Sequence, residues 1–209
     1  MSITRHPDDS TLVSHAAGSL PAALAVVVAA HLAVCPRCRD EVATMELMGG
    51  ALLAGLPGAA LQRPVPAAPD IERHRAIAAA HAASSEVPAP LARLVGTDLD
   101  AVRFRWISPG LWLRWVPVSG GGRLHLFKGA SGAIVGDHGH RGSELTLVLR
   151  GTIGDHTGEY RPGDVCDLDE EIEHTQIVGA EGCICAVAHD HPVRWRSMVA
   201  RLARPWHGM

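Results

Sequence analysis

GAIVGDHGHRGSELTLVLRG, residues 132–151, decides the fold of this chain. A strand alternates its faces, so His138 and His140, two residues apart, point the same way, as two ligands of one ion must. Glu144 arrives after the short turn Arg141-Gly142-Ser143, at the head of the apolar run LTLVL, which reads as the next strand. His174 follows in RPGDVCDLDEEIEHTQIVG, where Pro162-Gly163-Asp164 makes a turn that brings a later strand back. Three imidazoles and one carboxylate form a mixed nitrogen and oxygen site suited to a divalent transition metal. A single histidine on such a segment would be an ordinary solvated side chain; four ligand-type residues in this spacing are not.

Outward from this stretch, from about Leu91 onward, the sequence consists of short β-rich runs. FRWISPGLWLRWVPV, GRLHLFKGA, LTLVLRGTI, DVCDL, TQIVG and CICAVAHD are separated by Gly and Pro turns, with Gly132, Gly151, Gly154, Gly158 and Gly163 placed where hairpins need them. This predicts a jelly roll or small barrel. Trp106, Trp112 and Trp115 read as core or sheet-packing residues. Cys183 and Cys185 share one strand face; buried inert thiols are the simple reading, and a redox pair the functional one. His189 and His191 read as a polar strand end, with a weak second metal site as the alternative.

The first 55 residues use a different pattern. Asp8, Asp9, Ser10 and Thr11 are helix-start residues and Gly18 a helix stop. Pro21 opens PAALAVVVAAHLAV, apolar nearly all round, which predicts a helix at the centre of a small bundle. A third helix from about Pro36 carries Val42, Met45, Leu47 or Met48, and Leu52 as its apolar stripe. Across the junction of these two helices runs H31-x3-C35-x2-C38. His31 and Cys35 are one helical turn apart, and C-P-R-C is a tight turn that lets two sulfurs reach one ion. A closed structural zinc site needs four ligands; His6 is the natural fourth and His15 its competitor. A redox C-x2-C would require a βαβ context, which is missing here. Residues 55–70 read as a Pro/Ala/Gly linker, and Ile71 to Ala83 as a fourth helix capped by Asp70.

The chain has 209 residues, a net charge of −3 and Lys128 as its single lysine, so it offers no basic face for nucleic acid. The opening MSITRHPDDSTL lacks an apolar core of the signal-peptide kind, and LPAALAVVVAAHLAVC is shorter than a membrane span. The expected address is cytoplasmic, with no membrane partner. Five cysteines in a reducing compartment fit metal binding or thiol chemistry better than a disulfide framework. The fold class expected is α+β in two domains: a small zinc-binding helical bundle over 1–85, a β-barrel over 91–195 and a tail over 196–209. A flexible linker between them would decouple the two.

Residues 132–151 also satisfy G-x5-H-x-H-x3-E-x6-G, and so resemble the first metal motif of the cupins. A helical module with H-x3-C-x2-C, followed by a linker and one cupin domain, resembles the ChrR family of zinc-binding anti-sigma factors. That resemblance implies an N-terminal module that grips an extracytoplasmic-function sigma factor, with His6, His31, Cys35 and Cys38 holding structural zinc. It implies a second zinc, or another divalent transition metal, on His138, His140, Glu144 and His174. It further implies release of the sigma factor on oxidative stress, by singlet oxygen or organic hydroperoxide, sensed through the cupin domain. The Cys183/Cys185 pair also has a counterpart in the family. The competing class is a metal-dependent cupin dioxygenase with an accessory zinc module, since three histidines and a glutamate support oxygenase chemistry with other metals.

Overall fold

A computed structural model describes residues 3–58, 86–139, 141–170 and 172–192, with the backbone alone at 194–195. The proposed helix over 71–83, most of the linker, His140 and the tail over 196–209 lie outside the described residues. Among the described residues, four helices and nine strands follow in chain order: α1 Asp9–Ala16, α2 Ala22–Val34, α3 Pro36–Ala54, α4 Ala89–Val95, β1 Arg105–Ser108, β2 Leu111–Val116, β3 Arg123–Gly129, β4 Ile134–Gly139, β5 Glu144–Asp155, β6 Gly158–Tyr160, β7 Val165–Leu168, β8 His174–His189 and β9 Arg194–Trp195. α4 opens at Pro88 and Pro90, since proline suits a helix start, where its missing N–H costs nothing. No single described helix is long and apolar enough to cross a membrane.

All strand pairs are antiparallel, and β8 organises them. Its 16 residues pair with β3 over the second half, with β4 over the first and with β5 over parts of both, so the sheet wraps round on itself. Alternation along β8 then sorts side chains to two cores. Cys183, Cys185 and Val187 face the barrel interior with Phe127, Val148, Cys166 and Leu168. Ile184, Ala186 and Ala188 face outward with Leu124, Leu126, Leu145 and Leu147, and this outer layer is covered by the helices. Trp106 departs from the expected packing: it is 59% exposed, on edge strand β1 across from Trp112.

The helical region is not a separate bundle. Ala23, Leu24, Val27, Val28 and Ala30 of α2 are buried in the same cluster as the outward face of β3, β5 and β8, with Leu91 of α4 alongside. Pro21 provides no side-chain cap, and the first free N–H groups of α2 are satisfied across the interface: Ala22 N–H donates to Gly120 O and Ala23 N–H to Gly121 O, both at 3.1 Å. Gly122 has φ 74°, and a Cβ there would lie 2.9 Å from that of Ala23, so glycine is what lets the loop approach the helix. The expected decoupling is therefore corrected: an all-round apolar helix needs cover on every side, and α1 with α3 covers only part of it.

One core should give one unfolding transition. Helical ellipticity and the near-ultraviolet signal of the barrel tryptophans are expected to disappear together on heating. Leu24→Ala should shift both by the same amount, a loss of about 2–5 kcal/mol. Separate midpoints for the two signals would contradict the shared core.

Candidate metal centres

Two clusters of ligand-type side chains form in this fold. In the first, His6 comes from the N-terminal arm, His31 from the last turn of α2, Cys35 from the α2–α3 junction and Cys38 from the first turn of α3. One ligand atom from each lies within 4.8 Å of all the others. His31 Nε2 is 3.3 Å from Cys38 Sγ, and His6 Nδ1 is 3.2 Å from Cys38 Sγ and 3.5 Å from Cys35 Sγ. His15, the competitor, is not among them. Burial and the neighbouring Cys35 push the Cys38 thiol up to about 12, a cost that a bound dication reverses. Two sulfurs and two imidazoles at this separation fit a closed tetrahedral zinc site.

This cluster is held in place by the barrel. His31 Nδ1 donates to Gly163 O at 2.8 Å, which leaves the Nε2 lone pair facing the sulfurs. Asp164, buried, accepts Thr4 N–H at 2.7 Å and Arg5 N–H at 3.0 Å through Oδ1, and Arg161 N–H at 2.9 Å through Oδ2. Val165 N–H donates to Arg5 O, and Asp167 Oδ2 accepts Asp8 N–H. The arm that carries His6 is thus laid along β7 and attached on both sides of His6. No sequence signal marked Asp164 beyond its place in a Pro-Gly-Asp turn.

The second cluster lies at one end of the barrel. His138 on β4 and His174 on β8 are register partners, and Glu144 opens β5. Their ligand atoms lie within 4.8 Å of one another, and all three side chains are buried. His138 Nδ1 donates to Gly136 O at 2.8 Å and His174 Nδ1 to Asp155 Oδ2 at 2.7 Å. Both Nε2 atoms therefore present lone pairs, yet they stand 3.1 Å apart. Facing lone pairs repel unless a cation or proton lies between them, so the donor set fits a metal ion. Burial opposes a charge on Asp155, but hydrogen bonds from His174 and Thr157 prevail and hold its pKa down at about 2. Thr157 Oγ1 bonds Asp155 and also Tyr160 Oη at 2.6 Å, so the carboxylate that orients His174 is itself fixed. Burial pushes His138 down to about 4 and Glu144 up to about 7.

Cys183 and Cys185 are buried on the inner face as read from their spacing, but not beside this cluster. Cys185 pairs with Val148, four residues along β5 from Glu144, about 13 Å at ~3.4 Å per residue. The Cys183 thiol is lowered by a hydrogen bond from Cys185, which itself is raised. A nearer thiol was missed: Cys166 pairs with Thr146, two residues from Glu144, and burial pushes it up to about 12. His189, read as a polar strand end, is almost fully buried, while His191 is exposed.

These features define a zinc-finger-type helical centre joined to a cupin. The sequence profile of the ChrR cupin-like domain matches residues 93–193, and that of a zinc-finger family matches residues 12–39. The chain is 37% identical to the anti-sigma-E factor ChrR of Cereibacter sphaeroides over 99% of both chains. It is similar, at 36% identity and TM-score 0.76, to the crystal structure of Rhodobacter sphaeroides SigE in complex with the anti-sigma ChrR, covering 90% of this chain and 100% of that one. The chain belongs to the ChrR family, whose members are anti-sigma factors and so regulators rather than enzymes.

Two outcomes follow. Asp164→Ala should free the arm and weaken zinc at the first cluster by about 10–100-fold, measured by competition with a chelator. At the second cluster, metal uptake must displace the Glu144 proton. Its folded pKa is raised to about 7, so affinity should fall about tenfold per pH unit below that value and be insensitive to this group above it. Cobalt titrations at pH 6 and pH 8, with Glu144→Gln as control, check the sign.

Proposed function

We propose that the chain binds an extracytoplasmic-function sigma factor in the cytoplasm and holds it inactive through its zinc-organised helices, and that the cupin centre governs release under oxidative stress. The observation that carries the first part is the outer half of α3. Val42 and Met45 pack inward as expected, but Leu47, Met48, Leu52 and Leu53 do not; Leu47 is 75% and Leu52 77% exposed. Four large apolar side chains on one exposed helix form a patch of the kind that marks a protein interface. The relative of matching length is described in complex with SigE. His6, His31, Cys35 and Cys38 would hold zinc, which fixes the angle between α2 and α3 and so the aim of that patch.

The second part rests on the connection between the centres. Glu144 pairs with Leu168 on β7, and the same strand leads back to Asp164 and Gly163, which hold the arm and His31. His138, His140, Glu144 and His174 would bind zinc or another divalent transition metal. A change at that metal then alters β5–β7 pairing and the seating of the arm, biasing the module between gripping and released conformations. Cys183 and Cys185 would take part as redox thiols only through local opening, given their depth. Five free cysteines suit a reducing cytoplasm.

Leu52→Asp is expected to lower sigma-factor affinity at least tenfold in a pull-down or calorimetric titration, with zinc content and unfolding midpoint unchanged. In cells, Glu144→Ala and His174→Ala should keep repression but blunt induction by singlet oxygen or hydroperoxide. Full induction in both would remove the sensing role from the cupin centre.

A further inference from the structure

The interior of the barrel holds two histidines that neither metal cluster uses. His125 on β3 and His189 on β8 are buried, and their rings lie 5.7 Å apart, centroid to centroid. Trp115 on β2 closes the group, 5.1 Å from His125 and 6.4 Å from His189. Strand register gives the location. His189 continues the inward series Cys183, Cys185, Val187, and its register partner across β5 is Glu144. Directly opposed residues share a face with Cβ atoms about 4.5–5.5 Å apart, so His189 is next to the cupin cluster. It is nonetheless outside the set of ligand atoms lying within 4.8 Å of one another.

The ring of His189 is prepared as the ligand rings are. Its Nδ1 donates to His191 O at 2.9 Å, as His138 donates to Gly136 O and His174 to Asp155. That bond places the proton on Nδ1 and the lone pair on Nε2. Nε2 is buried and has no hydrogen-bond partner among the described residues, and the same is true of His125 Nδ1. A buried acceptor beside a carboxylate has use only for a donor, since buried polar groups are paired as a rule.

We propose that His189 Nε2 accepts a hydrogen bond from a small oxygen ligand held at the cupin metal, with His125 and Trp115 as the wall of the same subsite. The ligand class is a compact molecule with a metal-binding oxygen and an O–H or N–H beside it: water, a hydroperoxide or a hydroxamic acid. This rests on the reading of His138, Glu144 and His174 as metal ligands, and it gives that centre a second point of recognition that a closed structural site lacks. His189 is a positioning residue in this assignment, not a ligand of the ion.

Acetohydroxamic acid is the probe. The full-length protein is loaded with cobalt, metal per chain is counted, and the hydroxamate is titrated against the visible absorption of the cobalt. The N-terminal cluster closes tetrahedrally with two thiolates and two imidazoles and has no position for an added molecule, whereas cobalt on imidazole and carboxylate donors takes five or six ligands. Wild type should show saturable binding. His189→Phe, which keeps a flat ring and removes the acceptor, should bind at least tenfold more weakly with the cobalt count unchanged. His189→Gln, which returns an acceptor oxygen near the Nε2 position, should recover most of the affinity. No wild-type response, equal binding by the Phe variant, or loss of one cobalt in that variant overturns the assignment. A wild-type chain that takes up only one cobalt, at the sulfur-containing cluster, overturns the underlying metal reading instead.

Discussion

The hydrogen bond from His31 Nδ1 to Gly163 O is the contact on which the two halves of this chain depend. It fixes the tautomer of a zinc-type ligand, and the carbonyl that accepts it belongs to the barrel. Asp164, the next residue, holds the arm that brings His6. The helical centre therefore takes two of its four donors in positions set by the β domain. A helical module of this size could not bury α2 alone; the sheet covers the face that α1 and α3 leave open.

Both clusters use the same device. In each, a histidine gives its Nδ1 proton to an oxygen fixed by the backbone or by a further hydrogen bond, and so aims Nε2 at the ligand position. The surroundings differ. The helical cluster is built on a tight C-P-R-C turn and has a full set of donors, as suits a structural ion. The barrel cluster borders three buried polar residues, His125, His189 and Thr146, at the end of an otherwise apolar interior, as suits an ion that takes an outside ligand. A four-donor cluster at the start of α3 and a buried three-residue cluster in the barrel are joined by β7.

Much of this was legible in the sequence because the signals were short-range. The i, i+2 spacing of His138 and His140, the i, i+4 spacing of His31 and Cys35, and the C-x2-C turn are local geometry. They marked the residues that the structure gathers, His140 excepted, which lies outside the described residues. Long-range facts were not legible. That α2 packs on a sheet, that Asp155 orients His174, that Asp164 holds the arm, and that His189 faces Glu144 all depend on strand register. One residue of slip would reverse each. The apolar stripe through Leu47 or Met48 and Leu52 is exposed over this half of α3, because periodicity reports a face, not what covers it.

Residues 163–168 join the cupin cluster to the helical cluster, through Glu144 on Leu168 at one end and Gly163 and Asp164 at the other. Amide hydrogen exchange on the full chain tests this connection most directly, with and without His174→Ala. Exchange at Thr4, Arg5 and Asp8 should change in the variant, although these amides lie on the far side of β7 from the substitution. Faster exchange confined to β4, β5 and β8, with the arm unchanged, would contradict it.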